Sequence, residues 1–579
     1  MPFSSQLPGG PKVRRRLRIA ALWAWLGATG LHAAVPVLDH VFPAAVQIGT
    51  TNSVTLVGKF DPWPPELWTD LQGVRFEATT NQGVVTVVVA TNATPGPGLV
   101  RAHTAEGVSA PRFLIISPSP QTSEVEPNGE RTAPELLGAL PAEVNGRLEK
   151  NGDVDGYGVA LQAGETLVAW LEAYQLMSPL DPVLRLVDAR GVQRAWNHDD
   201  GRTLDPLLAW TAPEAGTYVL QVFAFPHPAD SSIQFSGNAR GVYRLHVTTG
   251  PVVRFTVPLG GRPSEGAGPE LRGWNLSGAG SPSVGPGESR LRASGRDLVF
   301  LPGAEAALPD PAQPLVPAGM EVEPNDTGAT ATPIPVPGTM TGNLDRAGDV
   351  DRFRFEAKKG EPLILEVQSA SLGFSLDAWL AVEEVGGKRL VRKDDAVGSD
   401  PRLEWSAPED GTYIATVGNL LQRGGEDQWY RLGVTRPRPT LKPTVAENAF
   451  TANAGTTNEI KVALARSGGF NAPLVVSVQG LPDSVTCEPV PVKDTAAEAI
   501  LRLVVREGAA PYRGSFRIKA AEESGGGTHP VSMDLISTGE NNGVPQGFRH
   551  LVVESIRDFW LTIPPPPPPP APKPEEKKP

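Results

Sequence analysis

The chain has one cysteine, Cys487, in 579 residues. No intramolecular disulfide can form, so packing, hydrogen bonds or bound ions must hold the fold together. Cys487 itself reads as a small buried core residue. Long apolar runs are also missing. The longest, Ile19 to Leu31, has thirteen residues and is too short to span a bilayer comfortably. The eight histidines are His32, His40, His103, His198, His227, His246, His529 and His550, and no two stand at metal-ligand spacing. There is no Gly-x-Ser-x-Gly elbow and no His-Glu-x-x-His. Nucleophilic and zinc-hydrolase chemistry therefore find no support. Helical periodicity is almost absent as well.

What is abundant is backbone punctuation. There are 62 Gly and 60 Pro beside 40% hydrophobic residues, which favours many short strands between tight turns. A chain of this length holds several domains. The N-terminus reads as an export signal. Lys12, Arg14, Arg15, Arg16 and Arg18 precede the apolar run, and Ala33 and Ala34 follow it where cleavage is expected. Residues 1–34 are thus a signal peptide, and an uncleaved anchor is the alternative. Losing those five cations takes the formal charge from −12 to −17. Such an acidic chain is a poor partner for nucleic acid and suits calcium or a solvated surface. No later stretch could cross a membrane as a helix, so the mature chain is expected outside the cytoplasm, secreted, periplasmic or at the cell surface, without a transmembrane span.

The organising feature is an internal repeat. Glu321-Val-Glu-Pro-Asn-Asp326 has a near twin in Glu124-Val-Glu-Pro-Asn-Gly129. Gly152-Asp-Val-Asp155 matches Gly348-Asp-Val-Asp351, and Asp205-Pro206 matches Asp400-Pro401. Asp199-Asp200 matches Asp394-Asp395, and Trp210 to Tyr218 matches Trp405 to Tyr413. The offset drifts only from 197 to 195, which means duplication with small loop insertions. Tyr218, Leu220 and Val222 alternate, as do Tyr243, Leu245 and Val247, with counterparts Tyr413, Ala415, Val417 and Tyr430, Leu432, Val434. That is the pattern of an antiparallel sandwich.

The pattern Glu-x-Glu-Pro-Asn, Gly-Asp-x-Asp, Asp-Asp and Ala-Pro-Glu-x-Gly-Thr-Tyr resembles the bacterial pre-peptidase C-terminal domain family, which includes the collagen-binding modules of clostridial collagenases. Residues 123–250 and 320–437 are covered nearly end to end. Pro36 to Pro43 followed by Gly49 to Gly58 resembles the opening of immunoglobulin-like TIG domains, so residues 35–122 are read as one. Pro251 to Gly260 with Glu270 to Gly273 is a weaker echo, which makes 251–319 a degenerate second copy or a Pro/Gly-rich linker. Residues 438–563 look like the Ig-like modules of bacterial surface proteins, and 564–579 form a proline-rich tail. The expected fold is all-β, a tandem of antiparallel β-sandwich modules, Ig-like and jelly-roll-like, after a signal peptide.

Glu321 and Glu323 face one side of an extended segment, and Asp349 and Asp351 do the same. Asn325 and Asp326 add oxygens at the turn. If the opening segment folds back along the strand carrying Asp349, four carboxylates converge, and a divalent cation would relieve their repulsion. Calcium-binding members of the family take ligands from these two motifs. The resemblance carries that role to Glu321, Glu323, Asn325, Asp326, Asp349 and Asp351, and in the first repeat to Glu124, Glu126, Asn128, Asp153 and Asp155. Gly129 replaces Asp326, so the first repeat is the poorer candidate for Ca2+. The alternative for both is a solvated acidic loop. Asp199-Asp200 and Asp394-Asp395 read as turn residues. His198, whose counterpart is Lys393, reads as a surface loop residue.

Collagen-binding relatives use exposed aromatics on a sheet face, and Tyr157, Trp170, Tyr174, Trp196, Trp379, Trp405 and Trp429 are available here. Trp210 and Trp405 recur and are better explained as core, whereas Trp196 and Trp429 are not shared and are free to contact a ligand. The reading that follows is an exported adhesion or scaffold protein without catalysis of its own, its partner an extracellular protein or polysaccharide. The alternative is an accessory subunit that targets a secreted peptidase or other hydrolase. An enzyme with an unfamiliar site is the third.

Overall fold

The computed structural model describes residues 34–200, 204–225, 234–260, 270–277, 282–283, 292–293, 299–300, 316–396, 400–493, 495–537 and 551–566. The signal-peptide reading up to Ala33, and the proline-rich tail from residue 567, lie outside them. Among the described residues the fold is all-β, with two one-turn 3-10 segments, Tyr174–Leu176 and Ala370–Leu372. No helix among them is long and apolar enough to cross a membrane.

The first sandwich faces the sheet Val37–Phe42, Thr51–Lys59, Val84–Val89, Val74–Ala78 against the sheet Ala45–Gln47, Arg112–Ser117, Gly96–Thr104, Glu66–Thr69. Val54, Leu56, Val85 and Val87 meet Val100, Ala102, Leu114 and Ile116 between the layers. The β-branched runs alternate as a half-buried sheet requires.

The two repeats have one topology. In the first, one sheet runs Thr122–Ser123, Ala142–Arg147, Val242–Thr248, Thr166–Glu172, Leu207–Thr211, and the other runs Glu135–Leu136, Asp155–Leu161, Gly216–Phe225, Asp181–Val187, Gln193–Asn197. The second repeats that order with Ala318–Met320, Gly338–Asn343, Trp429–Thr435, Pro362–Gln368, Arg402–Ser406 and with Thr332–Pro333, Val350–Ala357, Gly411–Asn419, Ala378–Glu384, Arg389–Lys393. The opening strand of every sheet pairs parallel to its neighbour and the others are antiparallel. The alternating tyrosines and aliphatics from Tyr218 to Val247, and from Tyr413 to Val434, all point into the cores. Trp210 and Trp405 pack edge-on against Tyr218 and Tyr413, at 4.8 and 4.9 Å between ring centres.

Between the repeats, Val252–Val257 pairs with Glu270–Trp274. This hairpin reproduces the opening of the first sandwich. Both strand pairs shift register two residues in, at Leu38/His40 and at Val253/Phe255. Both first strands end at a cis X-Pro bond, Phe42–Pro43 and Val257–Pro258. In both partner strands a glycine is forced by close approach. A Cβ on Gly58 or Gly273 would lie 2.0 Å from the carbonyl oxygen of Val37 or Val252. Each opening strand also delivers its post-proline segment to the same spot on the following repeat. Ala45 N–H donates to Asn145 Oδ1 at 2.9 Å, and Leu259 N–H donates to Thr341 Oγ1 at 2.7 Å. Phe255, Val257 and Leu259 cover Leu372 and Phe374 of the second repeat, while Val252 lies on Val168 and Trp170 of the first. Trp429 packs against Phe255 at 5.6 Å, so it belongs to this junction and is no free ligand contact. Trp196 is 55% exposed.

The outer face of the first repeat carries a buried ion cluster. Arg244 donates to Glu172 at 2.6 Å and to Glu143 at 2.9 Å, beside His246 stacked on Trp170 at 4.5 Å. Burial alone would push the Glu172 carboxyl up, but Arg244 and His246 more than offset it and hold it at about 2. A depressed carboxyl contributes stability above its ordinary pKa and loses it as pH falls toward the folded value. The stability lead of the wild type over Glu172→Gln is therefore expected to shrink between about pH 4.5 and pH 2, by on the order of 3 kcal/mol. Urea unfolding of both proteins across that range checks it, and a pH-independent difference contradicts it.

The last sandwich pairs the sheet Thr440–Thr444, Thr457–Ser467, Glu498–Val505, Val485–Thr486 with the sheet Ala449–Thr451, Phe559–Ile563, Tyr512–Glu522, Leu474–Gln479, Val490–Val492. Cys487 is half-buried at the margin of its core, against the expectation of full burial. The edge strand that would carry it inward ends at Thr486.

Candidate metal centres

In the second repeat, Met320 closes the short parallel edge strand and Glu321 follows it, held to the sheet by its N–H on the Thr341 carbonyl at 3.0 Å. The segment then turns through the cis Glu323–Pro324 bond and crosses over the start of the Val350–Ala357 strand. This brings Glu321, Glu323 and Asp351 together, one oxygen of each within 4.8 Å of the others. Asn325, fully buried, lies among them and donates from Nδ2 to Glu321 at 3.3 Å. Backbone N–H groups orient the glutamates: Asn343 N–H donates to Glu321 at 2.6 Å and Asn325 N–H to Glu323 at 2.9 Å. Tyr430 reaches up from the core and donates its hydroxyl to Asp351 Oδ2 at 2.5 Å. The other oxygen, Asp351 Oδ1, is buried with no partner.

The first repeat builds the same site from Glu124, Glu126 and Asp155. Tyr243 donates to Asp155 Oδ2, and Asp155 Oδ1 is again buried and unpartnered. Asn128 is 1% exposed, and neither polar atom of its side chain has a partner. Tyr157 adds a second hydroxyl, 2.6 Å from that of Tyr243, where the second repeat has the apolar ring of Phe353. Both sites depend on a small residue under the tyrosine. A Cβ on Gly146 or Gly342 would fall 2.1 or 2.3 Å from the Tyr243 or Tyr430 ring or its hydroxyl.

The electrostatics are unfavourable without a cation. Two carboxylates within 4.8 Å of each other repel by about 3 kcal/mol or more at an effective dielectric constant near 20. Burial, then the neighbouring glutamate, pushes Asp351 and Asp155 far above the usual carboxylate range. Burial likewise raises Glu321 and Glu124. An all-oxygen donor set with an unsatisfied buried carboxylate oxygen fits a hard divalent cation such as calcium, and does not suit zinc or copper.

The remaining candidates lie elsewhere. Asp349 accepts the N–H groups of Asp345 and Val350 at 2.9 and 3.1 Å, and Asp153 accepts that of Glu149 at 2.7 Å. Both close the turn before the strand. Asp326 is held in a two-pronged pair by Arg346 at 2.7 and 2.8 Å. Three carboxylates converge in each repeat where four were expected, because Asp349 and Asp351 belong to a turn and a strand and do not share one extended face. Strand alternation alone places Tyr243 and Tyr430 in the core. Their signal was a hydroxyl kept at a buried position in both copies, where phenylalanine would fill the same space.

His198 is no isolated loop residue. Its Nε2 lies 2.9 Å from Asp181 and its Nδ1 3.7 Å from Asp199. Asp205 and Asp400, by contrast, are structural. Asp400 accepts the N–H groups of Ser369, Ala370 and Ser371 at 2.9–3.1 Å, and Asp205 those of Ala173, Tyr174 and Gln175 at 2.7–3.1 Å.

No family model matches the chain. A protein of Deinococcus radiodurans described as a probable subtilase-type serine protease is 29% identical over 244 residues, 41% of this chain. The chain spans 30% of the length of that relative. Among solved structures, the pre-peptidase C-terminal domain of a Bacillus anthracis collagenase aligns at 18% identity over 20% of this chain and 99% of its own, with a TM-score of 0.16. The N-terminal eight Ig domains of a Down syndrome cell adhesion molecule align at 11% identity over 87% of this chain and 59% of their own, with a TM-score of 0.18. At these TM-scores neither likeness bears on what the chain does.

Proposed function

We propose that this is an exported, non-catalytic scaffold or adhesion protein whose two repeats are pre-peptidase C-terminal-like modules, each stiffened by one calcium ion. The observation that supports this most is the pair of buried aspartates, Asp155 and Asp351, each with one oxygen on a tyrosine and the other without a hydrogen-bond donor, facing the carboxyl of Glu124 or Glu321, at equivalent places in two copies. Glu321, Glu323, Asn325 and Asp351 would hold the ion in the second repeat, and Glu124, Glu126, Asn128 and Asp155 in the first. Calcium supplies charge neutralisation and pins the opening segment to the sheet. The protein's own part is to orient the carboxylates through backbone N–H groups and to keep the tyrosine hydroxyls donating. The acidic balance and the basic–apolar N-terminus support an extracellular setting with a protein or polysaccharide partner.

Calcium titration of the full chain by calorimetry is the test. Two ions per chain are expected, one after Asp351→Asn, and none after Asp155→Asn is added. Unchanged stoichiometry in the double variant sinks the assignment of these residues. A second reading, accessory to a secreted hydrolase, is favoured by the stretch shared with the Deinococcus protein. Recovery of a peptidase with the tagged chain from the native secretome would favour it over the scaffold reading.

A further inference from the structure

We infer that the outer face of the Gly96–Thr104 strand is a docking surface for the chain's own last sandwich, so that the modules close on themselves and do not string out in line. A strand in a two-layer sandwich should bury alternate residues. In Gly96–Thr104 every residue from Gly98 to Thr104 is buried, and in Phe559–Ile563 all five are. Both strands therefore have both faces covered. Val100 and Ala102 face the core of the first sandwich, which leaves Leu99, Arg101 and His103 on its outer side. Phe559, Leu561 and Ile563 face the core of the last sandwich and leave Trp560 outside.

The two outer faces meet. Trp560 packs against His103 at 4.8 Å and edge-on against Trp68 at 6.1 Å. Arg101 is fully buried and donates to Asn448 Oδ1 at 2.7 Å. Arg513 pairs with Glu66 at 3.1 Å on the rim. Ala44, Leu99 and Phe113 of the first sandwich share one apolar cluster with Leu176 of the first repeat and with Leu535 and Ile556, which lie on a separate antiparallel strand pair, Met533–Ser537 with Leu551–Ile556, beside the last sandwich. A buried arginine and an outward tryptophan need a partner surface, and this one supplies it.

The junction is incompletely packed and incompletely satisfied. Arg101 keeps two buried nitrogens, Nε and Nη2, with no protein partner. A cavity of about 280 Å3, lined by Asp70, Glu554 and Asp558 together with Arg557, interrupts the contact. Docking is held by the tether, which keeps the two faces at high effective concentration. Released, the same faces are complementary between copies, a head-to-tail contact that need not close.

The test uses the full chain with Cys487→Ser, Glu66→Cys and Arg513→Cys. Both new positions sit on the rim, so the cores are untouched. A short bismaleimide should bridge them within one chain, with a yield independent of protein concentration and the cross-linked peptide identified by mass spectrometry. No bridge, or bridges only between chains, overturns the proposal. Small-angle scattering of the unsubstituted chain gives a second, independent reading. Its radius of gyration should rise when Trp560→Ala opens the contact, and an already extended wild-type chain that does not change overturns it too.

Discussion

Neutralising both buried aspartates is expected to stabilise the calcium-free protein and to abolish its response to calcium. In Asp155→Asn/Asp351→Asn, the tyrosine hydroxyls of Tyr243 and Tyr430 keep an oxygen acceptor. The repulsion from Glu124 and Glu321 disappears, and with it the cost of holding a second charge away from water. Relief of about 1–3 kcal/mol per site is the order expected from a close buried pair at moderate effective dielectric. Calcium reverses the ranking. A ligand that binds only the folded state adds about 2.7 kcal/mol at a hundredfold excess over its dissociation constant. The wild type should gain that much per repeat and the double variant nothing. Calorimetric melting with chelator and with calcium therefore gives four transitions whose order inverts. If the variant is less stable than the wild type in chelator, the carboxylates are not in conflict in the empty site. If it still rises with calcium, the ion sits elsewhere.

Asp400→Ala is expected to destabilise the second repeat strongly, and Asp205→Ala the first. Each carboxylate takes three successive backbone N–H groups at the 3-10 turn, Ser369 to Ser371 or Ala173 to Gln175. Removing it leaves three donors without an acceptor beneath the Leu372 or Leu176 contact with the neighbouring module. At roughly 1–3 kcal/mol for each unsatisfied group, and with some of the three donors only part-buried, about 4 kcal/mol is lost. Asn in place of either aspartate keeps an acceptor and should recover about half. Urea unfolding reports both, and hydrogen exchange at 369–371 should rise first. A loss below about 1 kcal/mol would mean the turn finds other acceptors.

The Asp-Pro pairs show where a sequence stops being readable. Asp205-Pro206 and Asp400-Pro401 stood out as shared, yet nothing in their neighbours pointed thirty residues back to the turn they cap. The same holds for Tyr243 and Tyr430. Alternation placed them in a core, and it did so correctly, but the core ends at a carboxylate that arrives from a separate strand. Asp349 shows the opposite error. Two residues from Asp351 along the chain, it looked like its partner across an extended face, and the turn at Asp345–Gly348 took it away.

By itself the sequence determined the all-β class, the internal duplication, and the acidic opening segments, because strand alternation, Gly/Pro punctuation and repeat spacing are local properties that one chain displays directly. It also marked Glu124, Glu126, Glu321 and Glu323 as a matched set. Only the tertiary structure decided which aspartate joins them, that a tyrosine hydroxyl holds it, that Trp429 seals a junction, and that the last sandwich covers Arg101 of the first. Those are contacts between strands far apart in the chain, and their geometry is set by how twisted sheets stack, which no local pattern encodes.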